Sequence, residues 1–282
     1  MTDTIIATLD GQLHRADEPL LRPDDLGVLR GDGVFETTLA VDGIPRDLTE
    51  HLERLTTSAK LLDFDVPAEL AWRPAIDAVL KAWKGAEGGS EMTLRLMATR
   101  GAEAGGEPTT LVIGSDVAAA TLQQRAGVRV RVLQRGFAGP DVAAMPWLLP
   151  GAKTLSYAVN MAAVRHAKSC GDDDVMFVGT DGLMLEGPTS TLILAEGDTL
   201  STPRRDGILD GITVRRLFAA AEQAGWRTAY GDIAPERLLS ADGAFVASSV
   251  RMLSPIVAVD GTARAVSERT GELQELLRRD PA

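Results

Sequence analysis

"LPGAKTLSYAVNMAAVRHA", residues 149–167, contains one of only five lysines in this 282-residue chain. Pro150 and Gly151 interrupt regular structure before Lys153, and apolar residues recur at helical spacing after it. The pattern predicts a helix over 154–169, with Lys153 at the junction between loop and helix. Because a helix dipole opposes a cation at the helix N-terminus, this position favours the neutral amine that a nucleophilic lysine requires.

The overall composition excludes several classes of partner. With 45% hydrophobic and 24% charged residues, the chain has the composition of a soluble globular protein. A net charge of −11 argues against nucleic acid and anionic membranes as partners. No apolar run approaches membrane-spanning length and the N-terminus lacks signal-peptide features, so we expect a cytoplasmic protein. The single cysteine, Cys170, has no disulfide partner and no companions for a metal site, so no metal is expected.

Apolar periodicity predicts helices and strands in mixed order. Helices are expected at 48–62, 67–85, 154–169, 212–224 and 268–279. Strands are expected at 91–99, 109–114, 127–133, 174–179, 184–194 and 243–248. Asp-Gly pairs, which are typical of hairpin turns, occur at positions 10–11, 42–43, 181–182 and 260–261. Because strands and helices do not alternate strictly, the order predicts an α+β fold.

The stretch "DVAAATLQQRA" separates two halves that each contain strands and helices. We therefore predict an N-terminal domain over residues 1–116, a linker over 117–126 and a larger domain over 127–282.

Several polar residues follow predicted strands or open predicted helices. Glu186 ends an apolar run in "DGLMLEGPTSTLIL", where a carboxylate is costly unless it has a cationic or hydrogen-bonded partner. Helix N-termini and hydroxyl-rich turns supply N–H and O–H groups to anions. Such positions occur in "LDGITVRR" and "FVASSVRMLSP", and they are Gly211, Ile212, Thr213, Ser248 and Ser249. Each signal alone is typical of caps and turns, so their joint order carries the information.

That order, together with "RGDGVFETTLAVDGIPRDLTEHLERLTTSAKLL" at residues 30–62, resembles the class IV aminotransferases, the fold-type IV enzymes that depend on pyridoxal phosphate. The most specific pieces are "GDGVFET", "HLERL", the Lys153 segment, "LEG" and "LDGIT". The resemblance implies a small N-terminal α/β domain and a larger C-terminal domain with a β-barrel-like sheet and flanking helices. It also implies an active site between the two domains that a second subunit of a homodimer completes.

The resemblance assigns roles to individual residues. Lys153 would hold pyridoxal phosphate as a Schiff base, and Glu186 would pair with the pyridinium nitrogen. A carboxylate there keeps the ring protonated, which makes the ring an electron sink. Arg54, from "EHLERL", would bind the cofactor phosphate. Further phosphate contacts would come from Ile212 and Thr213 and from Ser248 or Ser249.

The chain departs from the family pattern in places. Thr191 stands where many members have asparagine, and Pro188 stiffens the turn before it. Phe35, which would line the substrate pocket, replaces the tyrosine of "GDGVYE". Tyr157 follows Lys153 by four residues, whereas the branched-chain members have a tyrosine five residues on. It would either reach the cofactor's phenolic oxygen or serve as a core tyrosine.

The family resemblance leaves the reaction open, because the shared residues serve every member. The first candidate is a lyase that converts 4-amino-4-deoxychorismate to 4-aminobenzoate, a folate precursor, and pyruvate; the compact length and Phe35 favour it. The second is an aminotransferase for D-amino or branched-chain amino acids. Gly106 and Pro108 stand near the places where D-amino acid enzymes have an arginine and a histidine, which weakens that interpretation. A third hypothesis is a structural dimer with a degenerate site.

A substrate with two carboxylates needs a guanidinium beyond the one that binds phosphate, particularly in an acidic protein. Arg95 is the first candidate, because it alternates with Leu94 and Leu96 along the predicted strand and points away from their apolar layer. Weaker candidates for substrate binding, each flanking a motif, are Arg30, Arg100 and Arg251.

Overall fold

The computed structural model describes residues 4–83 and 90–279. The chain divides into two compact units. The first comprises Met1–Ala118 and Ala152–Tyr157, and the second comprises Ala119–Gly151 and Ala158–Ala282.

The first unit is built on a six-stranded antiparallel sheet. Its strands are β1 (Ile5–Ala7), β2 (Leu13–Arg15), β3 (Gly33–Val41), β4 (Ile44–Pro45), β5 (Glu91–Thr99) and β6 (Thr110–Asp116). Its helices are α1 (Leu26–Arg30), α2 (Leu48–Leu61) and α3 (Glu69–Ala82). The strand order is β2-β1-β6-β5-β3-β4. Asp-Gly turns at 10–11 and 42–43 join β1 to β2 and β3 to β4, as the sequence predicts.

One face of this sheet carries the core of the first unit. Leu94 and Leu96 of β5 are fully buried in one cluster with Leu52 and Leu55 of α2. The apolar stripe of α2 therefore packs where its spacing predicts. Side chains one residue out of step, including Arg95, belong to the opposite face of β5.

The second unit is built on an eight-stranded mixed sheet. Its strands are β7 (Val128–Gln134), β8 (Asp174–Val178), β9 (Thr191–Glu196), β10 (Thr199–Pro203), β11 (Arg227–Gly231), β12 (Gly243–Ser248), β13 (Met252–Val259) and β14 (Thr262–Ala263). The main path is β11-β10-β9-β12-β13-β7-β8, and β14 pairs with β13. The pairs β7–β8, β7–β13 and β10–β11 are parallel, and the other pairs are antiparallel.

The helices of the second unit are α4 (Ala119–Gln124), α5 (Gly139–Ala143), α6 (Ala158–Ser169), α7 (Ile212–Gln223), α8 (Arg237–Ser240) and α9 (Thr270–Arg278), with a short 3₁₀ helix at Pro146–Leu148. Strand β9 is buried on both faces. Leu192 and Leu194 join one apolar cluster, whereas Ile193 and Ala195 join another with Leu217 of α7. Burial on both faces explains why "TLILA" reads as a continuous apolar run.

Two predicted elements begin later than expected. The helix predicted at 154–169 begins at Ala158, because residues 153–155 instead run alongside β3. The strand predicted at 184–194 begins at Thr191, because the residues before it form a turn. The hairpin signal at positions 260–261 falls between β13 and β14, whereas β10 and β11 were not predicted. The helix predicted at 67–85 ends at Ala82, and positions 84 and 85 lie outside the described residues.

The predicted domain limits also differ from the observed units. The first unit ends at Ala118, inside the predicted linker, and the rest of that linker contains α4. Residues 152–157 belong with the first unit, although the sequence analysis assigned them to the second domain. Backbone hydrogen bonds to β3 account for this difference. Within the part of the chain that the structure describes, none of the helices has the length and apolar character needed to cross a membrane.

Candidate active site

Lys153 lies in an extended segment that pairs with β3. The Phe35 N–H donates to the Lys153 carbonyl at 3.1 Å, and the Leu155 N–H donates to the Gly33 carbonyl at 2.8 Å. The Lys153 N–H donates to Ser58 Oγ of α2 at 3.0 Å. Lys153 therefore does not sit in the first turn of a helix, and the helix-dipole argument for a neutral amine is wrong. Its backbone is fixed instead by a strand and by a helix.

The Lys153 side chain is half-buried against two aromatic residues. Nζ donates a hydrogen bond to the Tyr157 hydroxyl at 3.1 Å. It also lies 4.3 Å from the centroid of the Phe35 ring, which meets the Tyr157 ring edge-on at 5.1 Å. These contacts hold the amine at one position. Tyr157 is thus a direct hydrogen-bond partner of Lys153.

Arg54 lies on α2 and forms a buried network with Glu36 and His51. Its Nε and Nη2 donate to the two carboxylate oxygens of Glu36 at 2.6 and 2.8 Å. His51 Nδ1 lies 2.7 Å from Glu36 Oε2. Glu36 is fully buried, because it shares the core face of β3 with Val34 and Thr38. The bidentate geometry fixes the plane of the guanidinium.

The charge state of Glu36 follows from this network. Burial alone raises the pKa of Glu36, because it disfavours the charged form. The positive charge and hydrogen bonds of Arg54, together with His51, outweigh burial and lower the pKa from its ordinary 4.5 to about 2. Glu36 is therefore a carboxylate at neutral pH, and Arg54 has a permanent counter-ion.

The candidate substrate arginines of the first unit differ in their partners. Arg95 is exposed, and its Cζ lies 5.9 Å from the centroid of the Phe35 ring that also contacts Lys153. Arg100 pairs with Asp32 at 2.7 Å, and Arg30 lies 3.7 Å from Glu103. Of these three guanidinium groups, the structure brings Arg95 to the same aromatic ring as the lysine amine.

Glu186 lies in the second unit, directly after the segment that pairs with β8. The Leu185 N–H donates to the Phe177 carbonyl at 2.8 Å, and the Phe177 N–H donates to the Glu186 carbonyl at 3.1 Å. The carboxylate Oε1 accepts a hydrogen bond from the Leu209 N–H at 3.1 Å. Glu186 thus has the hydrogen-bonded environment that a carboxylate at the end of an apolar run requires.

The N-terminus of α7 forms a second polar group in this unit. Gly211 is the N-cap, so no side chain caps the first turn, which opens with Ile212 and Thr213. The buried Thr213 Oγ1 lies 3.4 Å from Ser249 Oγ. A Cβ added at Gly211 would lie 2.9 Å from Thr191 Oγ1, so the backbone needs glycine here. Helical N–H groups and hydroxyls of this kind bind phosphate. Ser248 ends β12 immediately before this group.

Two arginines of the second unit, one a weaker candidate of the sequence analysis and one not predicted, have defined surroundings. Arg251 is buried and paired with Asp174 at 2.6 Å, which favours a structural role over contact with substrate. Arg135 follows β7, and its Cζ lies 5.0 Å from the Phe137 ring and 5.1 Å from the Phe177 ring. Burial lowers the pKa of Arg135, and the Glu186 carboxylate offsets part of that effect. Arg135 thus lies between two aromatic rings of the second unit.

Comparison with known proteins identifies the family of this chain. The family model for amino-transferase class IV matches residues 33–259. The chain belongs to the class IV aminotransferase family. It is 41% identical over 266 residues to the "Bifunctional aminodeoxychorismate lyase / D-amino acid transaminase" of Mycobacterium tuberculosis, with 91% of this chain and 92% of that protein covered. The resemblance that the sequence analysis draws from its motifs is therefore confirmed.

Two solved structures of this family have the same fold. The PLP-bound form of a hypothetical aminotransferase from Mycobacterium tuberculosis superposes with a TM-score of 0.93 at 40% identity, with 98% of this chain and 97% of that chain covered. The fold IV transaminase CpuTA1 from Curtobacterium pusillum superposes with a TM-score of 0.90 at 40% identity, with 99% and 100% covered. The expected two-domain, fold-type IV α+β architecture is confirmed, and the chain is an enzyme of this family.

The donor groups of the two units fit the chemistry of pyridoxal phosphate. The first unit offers a primary amine on Lys153 and a fixed guanidinium on Arg54. The second offers a carboxylate on Glu186 and an uncapped helix N-terminus beside the Thr213 hydroxyl. Groups of these chemical types bind the aldehyde, the phosphate and the ring nitrogen of pyridoxal phosphate. At Gly211 an added Cβ would crowd Thr191, so the cradle at this helix end is formed by bare backbone.

The sequence contains signals for two of the three residues that were missed, Glu36 and His51. Glu36 sits between Val34 and Thr38 on an apolar strand face, which indicates a buried carboxylate that needs partners. His51 precedes Arg54 by three residues, so both side chains share one side of α2. Arg135 has no such signal, because its two aromatic neighbours come from a loop and from β8.

Proposed function

We propose that this enzyme is a pyridoxal-phosphate-dependent lyase that converts 4-amino-4-deoxychorismate to 4-aminobenzoate and pyruvate. Pyridoxal phosphate, when bound, supplies an aldehyde that condenses with amines and a ring that accepts electron density. The proposal assigns the covalent attachment to Lys153, the ring nitrogen to Glu186 and phosphate contact to Arg54. Further phosphate contacts are assigned to Ile212, Thr213, Ser248 and Ser249.

In this proposal Lys153 is both the attachment point and the base. Once an incoming amine has released its side chain, Lys153 takes the proton from the carbon that bears the substrate amino group. Tyr157, 3.1 Å from Nζ, orients that amine, and Phe35 covers it from one side. Glu186 stabilises the charge that develops when the proton leaves, because it keeps a proton on the ring nitrogen.

The observation that carries the proposal is the position of Arg95. Arg95 and Lys153 both contact the Phe35 ring, at 5.9 Å and 4.3 Å from its centroid. A guanidinium near the reacting amine binds a substrate carboxylate, and a protein of net charge −11 needs such a cation to admit a dianionic substrate. We therefore assign Arg95 to a substrate carboxylate.

The lyase reaction balances without a second substrate. The proton leaves the carbon that bears the amine, and the C–O bond to the enolpyruvyl group breaks. The oxygen keeps that electron pair, protonation of the methylene carbon gives pyruvate, and the remaining ring becomes aromatic. The product, 4-aminobenzoate, is a folate precursor. We also propose a homodimer, the state that the family resemblance implies.

A second candidate is transamination of D-amino acids. It is favoured by the Mycobacterium tuberculosis relative, whose name includes both activities. Lys153 would then return the proton to the cofactor carbon instead of assisting the loss of a leaving group. This reaction consumes a keto acid, whereas the lyase reaction does not.

The decisive experiment uses the holoenzyme with 4-amino-4-deoxychorismate and no keto acid. Repeated turnover to pyruvate and 4-aminobenzoate supports the lyase. Absence of turnover, together with conversion of D-alanine only when 2-oxoglutarate is present, would assign the enzyme to the second candidate. Arg95→Gln is the matched variant, and the proposal expects it to raise KM for the dianionic substrate much more than it lowers kcat.

A further inference from the structure

The turn between β12 and β13 is held from three directions. Ser248 and Met252 form the last cross-strand pair, so residues 249–251 make the turn. Ser249 Oγ lies 3.4 Å from Thr213 Oγ1, and the Val250 carbonyl accepts a hydrogen bond from Arg125 Nη2 at 2.8 Å. The third residue, Arg251, is the buried one.

Arg251 forms an ion pair with Asp174 that lies almost completely out of solvent. Its Nη2 donates to Asp174 Oδ2 at 2.6 Å, and the two side chains are 7% and 4% exposed. Its Nη1 donates to Gln124 Oε1 of α4 at 3.2 Å. Arg251 Nε is buried and finds no hydrogen-bond acceptor among the described residues. One guanidinium thus connects the turn to β8 and to α4.

Asp174 extends the connection towards Glu186. Its Oδ1 accepts a hydrogen bond from the Val175 N–H at 2.8 Å, and Ser190 Oγ lies 3.4 Å from its Oδ2. The Ser190 carbonyl in turn accepts a hydrogen bond from the N–H of Gly187, the residue after Glu186, at 2.7 Å. Asp174 therefore touches both the hydroxyl turn and the turn that follows the carboxylate.

The buried Arg251–Asp174 pair is better explained by the orientation that it fixes than by a contribution to the free energy of unfolding. Apolar residues of similar volume often replace such a pair without loss of stability, because desolvation of the two charges offsets their attraction. A guanidinium fork, however, fixes direction as well as distance. The next residue, Met252, has a φ of +65°, a conformation that non-glycine residues hold only when their surroundings enforce it.

We propose that Arg251 and Asp174 are positioning residues that set the Ser248–Ser249 turn for the cofactor phosphate, and that neither residue contacts the phosphate. This inference rests on the proposed function, in which that turn and the start of α7 bind the phosphate. Hydroxyl donors bind well only when they are held close to the productive geometry, so a loosened turn loses phosphate affinity while the rest of the cofactor site stays intact.

The test compares two ligands on the same apoenzyme: pyridoxal phosphate and pyridoxal. The dissociation constant for pyridoxal divided by that for pyridoxal phosphate reports the contribution of the phosphate alone. Arg251→Lys keeps the charge but cannot reach Asp174 and Gln124 together, so we expect the ratio to fall by about tenfold, the equivalent of one lost hydrogen bond. The ³¹P resonance of the bound cofactor should move as well, because it senses the donors around the phosphate.

Arg131→Lys is the matched control. Arg131 Nε donates to the buried Asp172 at 2.7 Å in the same unit, and its ion pair does not involve the turn. The control should keep the wild-type ratio. The positioning role is wrong if Arg251→Lys weakens the binding of both ligands equally or of neither. It is also wrong if Arg131→Lys changes the ratio to the same extent. The double variant Arg251→Met with Asp174→Leu, which retains side-chain volume, should show the same fall in ratio.

Thr213→Val separates this inference from the proposed function. If Thr213→Val lowers the ratio and both Arg251 variants do not, the phosphate site stands and the positioning role fails. If Thr213→Val also leaves the ratio unchanged, the phosphate is not bound at this turn, and both the site assignment and the positioning role fail.

Discussion

In the first unit the proposed phosphate ligand, Arg54, itself forms an ion pair. In the second unit the proposed ligands are neutral groups, and a residue of an ion pair lies close to two of them in the sequence. Arg54 donates to Glu36 through Nε and Nη2. Thr213 and Ser249 carry no charge, and Arg251, in the same turn as Ser249, pairs with Asp174. Substitutions near Arg54 should therefore change the local charge, whereas substitutions near Arg251 should change the position of the Ser249 hydroxyl.

The two units should therefore respond to different perturbations, the first to acid and the second to the loss of a hydrogen-bond donor. Acid acts on the first unit, because a carboxylate of low pKa maintains the network around Arg54. Loss of one directional donor should act on the second unit, because its proposed phosphate contacts depend on helix and hydroxyl geometry.

Lys153→Ala should abolish turnover and remove the covalent bond between the protein and the cofactor. Lys153 provides the amine in the first unit, while the neutral phosphate donors of the second unit remain. Cofactor should therefore still bind noncovalently. Borohydride reduction followed by mass spectrometry of the peptides checks the link, and Lys168→Ala is the control. A borohydride-reducible adduct that persists in Lys153→Ala would place the attachment elsewhere.

Glu186→Gln should lower kcat by about 10²–10³-fold and change cofactor affinity much less. An electrostatic partner of the developing charge contributes mainly in the transition state. The amide keeps an oxygen that can accept from the Leu209 N–H, so the local fold is preserved. Parallel measurement of kcat and of the cofactor dissociation constant checks the prediction. Equal losses in both quantities would show that Glu186 contributes to binding rather than to chemistry.

Stability at low pH should depend on Glu36. Its pKa falls from 4.5 to about 2 on folding, so its stabilisation is complete above pH 4.5 and is lost as the pH falls from 4.5 towards 2. The difference corresponds to about 3 kcal/mol. Urea unfolding at pH 6 and pH 3 checks it in the wild type and in Glu36→Gln. We expect the variant to be less stable at pH 6 and to lose less stability on acidification.

The sequence analysis predicted the elements that carry strong local signals. The Leu52 and Leu55 stripe of α2, the full length of β5 and the Asp-Gly hairpins of the first unit lie where their patterns indicate. In these cases the periodicity or the turn chemistry is contained within a few neighbouring residues. Arg95 likewise lies on the face opposite Leu94 and Leu96, because alternation along a strand requires it.

The sequence analysis was wrong where contacts distant along the chain decide the structure. The helical pattern after Lys153 holds from Ala158, but the segment before it pairs with β3, more than a hundred residues away. Arg251 resembles a surface cation next to a motif, and only the packing of β8 against the turn reveals Asp174 as its partner. Local spacing contains no information about such pairings.

Tyr157→Phe should have the smallest effect of the four changes, a fall in kcat of up to about tenfold, because one hydrogen bond to Lys153 Nζ is lost. The edge-on contact with Phe35 survives, since phenylalanine keeps the ring. Tyr230→Phe is the matched control, because Tyr230 is the other of the two tyrosines and bonds to Arg205 at the surface of the second unit. Steady-state kinetics of both variants check the prediction. Equal effects would show that the Tyr157 hydroxyl has no special role beside Lys153, whereas a much larger effect of Tyr157→Phe would make that hydroxyl part of the proton transfer itself.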